Sequence, residues 1–249
     1  MSSNLPRRLF LRTGSLLMAA GSLFGANAAT AADAAPAARP ILLELFTSQG
    51  CSSCPAADAV LRDLGGRGDV LALGFHVDYW DYLGWADPFA SPQFTARQQV
   101  YSQRRGFQMY TPQLVIDGQA AVVGSQRGRV EGGIETVKRE LRAVASAIVR
   151  NGASVKVSVG TTAQKDAGGE VYLVSFDPEE ATDIQRGENS GRRIVYTNVV
   201  RSIRAIGRWD NQPMTVNETL RGDERGARLA LIVQNRNGEI WAVAATPAG

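Results

Sequence analysis

The only two cysteines of the chain, Cys51 and Cys54, stand three residues apart at the point where a strand gives way to a helix. Before them, Ile41-Leu42-Leu43-Glu44-Leu45-Phe46 reads as a short, mostly buried strand, closed by the turn-forming Thr47-Ser48-Gln49-Gly50. After them, Ala57, Val60, Leu61 and Leu64 recur at helical spacing until Gly65-Gly66 stops the run. Val70 to Val77 follows as a second buried strand. The first half therefore opens strand–helix–strand, the start of an α/β domain with parallel pairing.

That placement gives the thiols a chemistry. Cysteines three apart in a first helical turn lie within disulfide reach. The unpaired N–H groups and positive end of the helix stabilise a thiolate. Cys51, the better exposed, is expected to have the lowered pKa and attack, with Cys54 resolving the mixed disulfide. Pro55 sits in the first turn, where its missing N–H costs nothing. The other reading is a structural staple, but so short a loop removes little unfolded-state entropy. A structural zinc site needs four ligands. Cys51, Cys54 and His76 are the only soft candidates, so neither a metal nor a cofactor beyond the Cys51–Cys54 disulfide is expected.

Beyond the second strand, Tyr79, Trp80, Tyr82, Trp85, Phe89 and Phe94 crowd one segment, either as a cap over the disulfide or as the core of a helical insertion. A helix is predicted from Pro92 to Arg105. Leu114-Val115-Ile116, an Asp117-Gly118 turn and Ala120–Val123 read as a hairpin. Ile134, Val137, Leu141, Val144 and Ile148 mark one face of a long helix that Asn151-Gly152 ends. The period then becomes alternating at Val155, Val157 and Val159, with further strands at Val171–Phe176, Leu229–Val233 and Ile240–Ala244, the last two joined by a turn at Asn237-Gly238. The expected organisation is an α/β domain over 40–151 and a small all-β, sandwich-like domain over 152–249. Arg201, Arg204 and Arg208 suggest a basic strip there for cell-envelope polymers, with a solvated face as the favoured reading.

Residues 1–31 carry a different message. Arg7-Arg8 and Arg12 precede an apolar stretch from Ser15 to Phe24, and small residues follow at Ala26-Asn27-Ala28 and Ala29-Thr30-Ala31. This is the pattern of a twin-arginine export signal, with an apolar run too short to anchor the chain in a bilayer. Ala32–Arg39 reads as a disordered lead-in. The expected location is periplasmic or secreted, with no stable membrane span once the signal is removed, in a compartment where disulfides persist. The chain has 27 basic and 24 acidic residues. Without the three signal arginines the two signs balance, which removes the electrostatic reason to bind nucleic acid.

Thr111-Pro112 at the start of a later strand completes a pattern. A strand–CxxC–helix unit followed by Thr-Pro resembles the thioredoxin fold, and the resemblance implies a cis Pro112 packed near the disulfide, with Thr111 beside it and backbone groups free for an extended substrate. The strings Glu44-Leu45-Phe46-Thr47-Ser48-Gln49-Gly50-Cys51-Ser52-Ser53-Cys54-Pro55, Phe75-His76-Val77-Asp78-Tyr79-Trp80 and Tyr110-Thr111-Pro112-Gln113 resemble, more closely, an uncharacterised family of secreted thioredoxin-like bacterial proteins, domain of unknown function 1223. Well-studied oxidoreductases of this fold often hold a buried acid six residues before the first cysteine. Here that position is Leu45, which leaves Glu44 as the candidate proton shuttle. Ser52-Ser53 between the cysteines matches neither the reducing nor the strongly oxidising members. His76, at the end of a buried strand, is a second auxiliary candidate, with a purely structural role as the competing reading.

Three functions compete. The first is an exported thiol–disulfide oxidoreductase acting on protein thiols or disulfides, with an external redox partner to reset it. The second is a carrier of a soft metal such as Cu(I) on the same thiols, which the scarcity of histidine and methionine near them disfavours. The third is a non-catalytic cell-envelope interaction protein on a thioredoxin scaffold, to which a buried or permanently closed bridge would point.

Overall fold

The computed structural model describes residues 39–222, 224 and 228–247. The export signal read over 1–31 and the lead-in as far as residue 38 lie outside the described residues. In chain order the elements are β1 (Ile41–Thr47), α1 (Cys54–Gly65), β2 (Val70–His76), α2 (Pro92–Arg105), β3 (Gln113–Ile116), β4 (Ala120–Val123), α3 (Arg127–Arg139), β5 (Ser146–Asn151), β6 (Ser154–Val159), β7 (Gly169–Asp183), β8 (Arg193–Trp209), β9 (Met214–Thr219), β10 (Arg228–Gln234) and β11 (Ile240–Ala245). No described helix is long and apolar enough to cross a membrane.

Eight strands form one mixed sheet in the order β11-β10-β7-β8-β2-β1-β3-β4. β1 pairs parallel with β2 and antiparallel with β3, and β3 pairs antiparallel with β4. Because side chains alternate across a strand, β1 feeds two cores. Ile41, Leu43 and Leu45 pack with Ala57, Leu61 and Leu64 of α1 and Val130 and Ile134 of α3. Leu42 and Phe46 face the other way, toward Phe94 and Tyr101 of α2. The short β3–β4 hairpin turns at Asp117 and Gly118, with φ of 51° and 67°, as its Asp-Gly dipeptide favours.

The second half does not stand apart. β7, β8, β10 and β11 extend the same sheet, joined through Gly74 of β2 beside Val199 of β8, and the described residues belong to one compact unit. The boundary expected at 151 is therefore corrected. Among the described residues, only β5, β6 and β9 form a separate sheet, and it packs on the main one through Val155, Val157, Leu173, Leu231, Trp209 and Trp241. The sandwich-like packing lies between those two sheets.

The long helix expected through Ile148 is also corrected, since α3 ends at Arg139. Val144 donates its N–H to Trp241 O, and Ser146 to Asn151 pair with β6. Tertiary strand pairing overrides an apolar spacing that matched a helix by coincidence. Asn151 and Ser154 are paired, and Gly152, with φ of 59°, turns that hairpin rather than capping a helix. Arg39, expected in a disordered lead-in, is fixed. Its guanidinium makes two bonds to Asp117, at 2.8 and 2.7 Å, and one to Ile240 O, a fork geometry that Arg alone provides.

Candidate functional site

Cys51 and Cys54 form a disulfide with their Cα atoms 5.4 Å apart, at the start of α1. Cys54 is fully buried and Cys51 is 3% exposed, while Ser52 and Ser53 between them lie on the surface. The Ser53 hydroxyl sits 3.4 Å from Cys51 Sγ. The Thr111–Pro112 peptide bond is cis. Phe46 is paired with Gln113, so Pro112 lies at the end of β1 from which the cysteine loop departs. Trp80 links the two segments. Its Nε1 donates to Thr111 Oγ1 at 2.7 Å, and a Cβ placed on Gly50 would come within 2.9 Å of Trp80 Cβ. Gly50 is thus the residue that lets Trp80 close over the loop.

Gln49, just before the motif, is held from every side. Its N–H donates to Asp87 Oδ2 at 2.8 Å, its Nε2 to Thr182 at 3.1 Å, and its Oε1 accepts from Trp85 Nε1 at 2.8 Å. The aromatic segment divides accordingly. Trp80 and Trp85 brace the cysteine loop, Phe94 belongs to the core, and Tyr82 projects into solvent with 78% of its surface exposed.

A buried polar cluster lies at the end of β2, where His76 is in register with Thr47, and on α1. His76 pairs through Nδ1 with Asp87 Oδ2 at 2.7 Å, between the rings of Phe89 and Tyr196. Its Nε2 is buried without a hydrogen-bond partner. Burial opposes charge on both groups, but the pairing prevails, raising the His76 pKa and lowering that of Asp87. Asp58, on α1, completes the cluster beside Thr47. Burial lifts its carboxyl to about 7, against the pull of the His76 charge. It follows Cys54 by four residues, so the two occupy the same buried face one turn apart.

His76 therefore sits where the sequence put it, at the end of β2 and in register with Thr47. Glu44 does not join the site. It lies on the α2 face of the sheet, accepting from Arg97 Nε at 2.5 Å and from the Tyr101 hydroxyl. The alternation that sends Leu45 and Thr47 toward α1 sends Glu44 away from it. The carboxyl on the cysteine side is Asp58, and a polar residue inside the apolar stripe Ala57–Val60–Leu61 is the signal that could have found it. The basic strip on β8 is largely paired: Arg201 with Asp177, and Arg204 with Glu218 and Glu224. Among the described residues, no group of three or more His, Cys, Asp or Glu side chains is arranged to hold a metal ion.

A loop distant in sequence closes the site. The tip of the β7–β8 hairpin brings Asn189, fully buried, to donate through Nδ2 to the carbonyls of Gln49 and Cys51, both at 2.9 Å. Glu188 beside it accepts from the Ser52 N–H at 3.1 Å.

The chain is similar to two solved structures. One, a protein from Agrobacterium tumefaciens determined by a structural genomics consortium, shares 31% identity, with a TM-score of 0.72 over 86% of this chain and 99% of that one. The other, HBP35 of Porphyromonas gingivalis, shares 12% identity, with a TM-score of 0.60 over 84% of this chain and 74% of that one, a likeness of fold alone. None of the curated proteins compared matches the chain. The model of the family described as "Protein of unknown function (DUF1223)" matches residues 42–234, and the chain belongs to that family.

Proposed function

We propose that this protein is an exported, thioredoxin-like thiol–disulfide oxidoreductase acting on protein thiols or disulfides in the periplasm or outside the cell. The sheet order β2-β1-β3-β4, with the cysteine pair on α1 and a cis proline before β3, supports the thioredoxin-like part. The observation that carries the activity is the bonded CxxC pair at a surface turn, backed by a buried carboxyl poised near neutrality. A structural staple has no use for that carboxyl, whereas a resolving thiol needs a proton acceptor of about that pKa.

In the reducing direction the Cys51 thiolate attacks one sulfur of a substrate disulfide. A mixed disulfide forms, and the first substrate thiolate leaves and takes a proton from water. Cys54 gives its proton to Asp58 and attacks Cys51 Sγ, which releases the second substrate thiolate and closes the Cys51–Cys54 bond; Asp58 then passes that proton to the departing sulfur. An external dithiol restores the pair with two electrons. In the oxidising direction the same steps run in reverse.

The test is the reduction potential of the pair, measured by equilibrating the mature protein in thiol–disulfide buffers and counting alkylated thiols by mass. A reversible couple between roughly −120 and −270 mV, the range of known oxidoreductases, is expected. Loss of exchange activity in Cys51→Ser is expected with it. The 3% exposure of Cys51 favours a second reading, a non-catalytic interaction protein with a closed bridge. A pair that resists reduction below about −300 mV, with exchange unchanged in Cys51→Ser, would establish that reading instead.

A further inference from the structure

The hairpin tip that closes the site comes from strands that local patterning assigns to a different domain. β7 and β8 remain paired out to Asp183 and Arg193. The turn beyond them is internally fastened. Ile184 N–H donates to Arg192 O, Gly191 N–H to Ile184 O, and the Ser190 hydroxyl to Gln185 O. Gly187, with φ of 75°, places its backbone against Trp85. Asn189 then anchors this turn to the cysteine loop by two hydrogen bonds, at a side chain with no solvent exposure. A tip held that firmly delivers its neighbour, Glu188, to a fixed place. The carboxylate receives the N–H of Ser52, the residue directly after Cys51.

We infer that Glu188 is a positioning residue that sets the redox poise of the Cys51–Cys54 pair, by holding a negative charge at the start of α1 where the Cys51 thiolate forms. The inference rests on the thiol-exchange reading above. Its physical basis is simple. The first turn of a helix favours anions through its free N–H groups and its dipole. Glu188 holds the N–H of Ser52, one residue ahead of the N-cap Ser53, and its carboxylate repels a second anion forming at this end of the helix. A thiolate disfavoured in this way destabilises the reduced protein, so the disulfide is harder to reduce and the dithiol is the better reductant. Asn189 acts through Glu188, because it keeps the tip in place.

The experiment compares wild type, Glu188→Gln and Asn189→Ala in glutathione buffers at pH 8.5, about the ordinary pKa of a free thiol, so that a change in thiolate stability reaches the exchange equilibrium. Gln keeps the shape and an acceptor for Ser52 while removing the charge. The exchange equilibrium of Glu188→Gln should shift about threefold toward the dithiol, which is about 14 mV less negative for a two-electron couple. Asn189→Ala should shift the same way. Reduced Cys51 in Glu188→Gln should also alkylate about twofold faster with iodoacetamide at pH 7. A fold-only role for the tip would change stability and leave the potential of Glu188→Gln where it was. A wild-type pair that titrates reversibly beside an unchanged Glu188→Gln overturns this inference alone. A wild-type bridge that no buffer opens overturns it together with the oxidoreductase reading.

Discussion

The two faces of β1 carry two buried charge clusters built on opposite principles. On the α2 face, Glu44 is met by Arg97 and Tyr101, and Arg97 lies over the rings of Phe75, Tyr101 and Tyr172 at 5.5–5.6 Å. Arg97 also reaches Gln234 at 3.4 Å, so both partners are fully engaged. On the α1 face, one imidazole serves two carboxyls. Asp87 takes the His76 Nδ1 contact, Asp58 is left near neutrality, and His76 Nε2 has no partner. A satisfied cluster ties elements together. An unsatisfied one exchanges protons easily, because its charged and neutral forms are close in free energy. On the oxidoreductase reading proposed above, the contrast gives Glu44 a structural role and Asp58 the proton-accepting one.

The largest expected effect comes from breaking the satisfied cluster. Arg97→Met leaves Glu44 buried without its cation and should cost about 3–5 kcal/mol in denaturant unfolding, with the potential of the cysteine pair unchanged. Adding Glu44→Gln should recover much of that loss, since no unpaired charge then remains. A shifted potential in Arg97→Met would break the division between the two faces.

Next comes Asp58→Asn. The carboxyl pKa is raised from its ordinary value to about 7, so between about pH 4 and 7 the folded state holds a proton that the unfolded state has lost. Stability therefore falls as pH rises through that window and stays low above it. The raised His76 pKa acts in the same direction, its contribution full at low pH and lost as pH rises through the folded value. Asn mimics the neutral carboxyl. The variant should be about 2–4 kcal/mol more stable than wild type at pH 8, nearly equal to it at pH 4, and without the inflection near pH 7 in its thiol-exchange rate. Unchanged stability at pH 8 would mean that Asp58 carries no burial penalty, and the contrast would fail.

How much of this was legible depends on the distance over which each signal acts. β1, α1 and β2 follow from apolar runs and their Gly stops, and α2 has its expected ends because Ser91-Pro92 begins it and Gly106, with φ of 68°, stops it. Cys51, Cys54 and His76 were visible as residue types at element ends. Glu44 was misplaced because alternation gives two faces without saying which one α1 covers. Val144 and Ile148 fit a helical stripe until β6 claimed them as strand. Glu188 and Asn189 lie more than 130 residues from the cysteine loop, joined to it by a hairpin whose Arg-rich second strand resembles a solvated surface. Contacts over such separations leave no periodicity to read.

The smallest effect sharpens the comparison most. Ser91 caps α2, its hydroxyl accepting from the Gln93 N–H at 3.2 Å, and its own N–H donates to His76 O at 3.1 Å. This one residue therefore touches both faces, through the side chain on one and the backbone on the other. Ser91→Ala removes only the cap, at a cost of about 1 kcal/mol, and keeps the backbone bond to His76. Hydrogen exchange should quicken at the first-turn amides of α2, where Phe94 enters the core. The potential of the cysteine pair and the pH 7 inflection should both stay at their wild-type values. Movement of that inflection would mean that the α2 face reaches the Asp58 cluster through His76, and the two clusters would then have to be treated as one network.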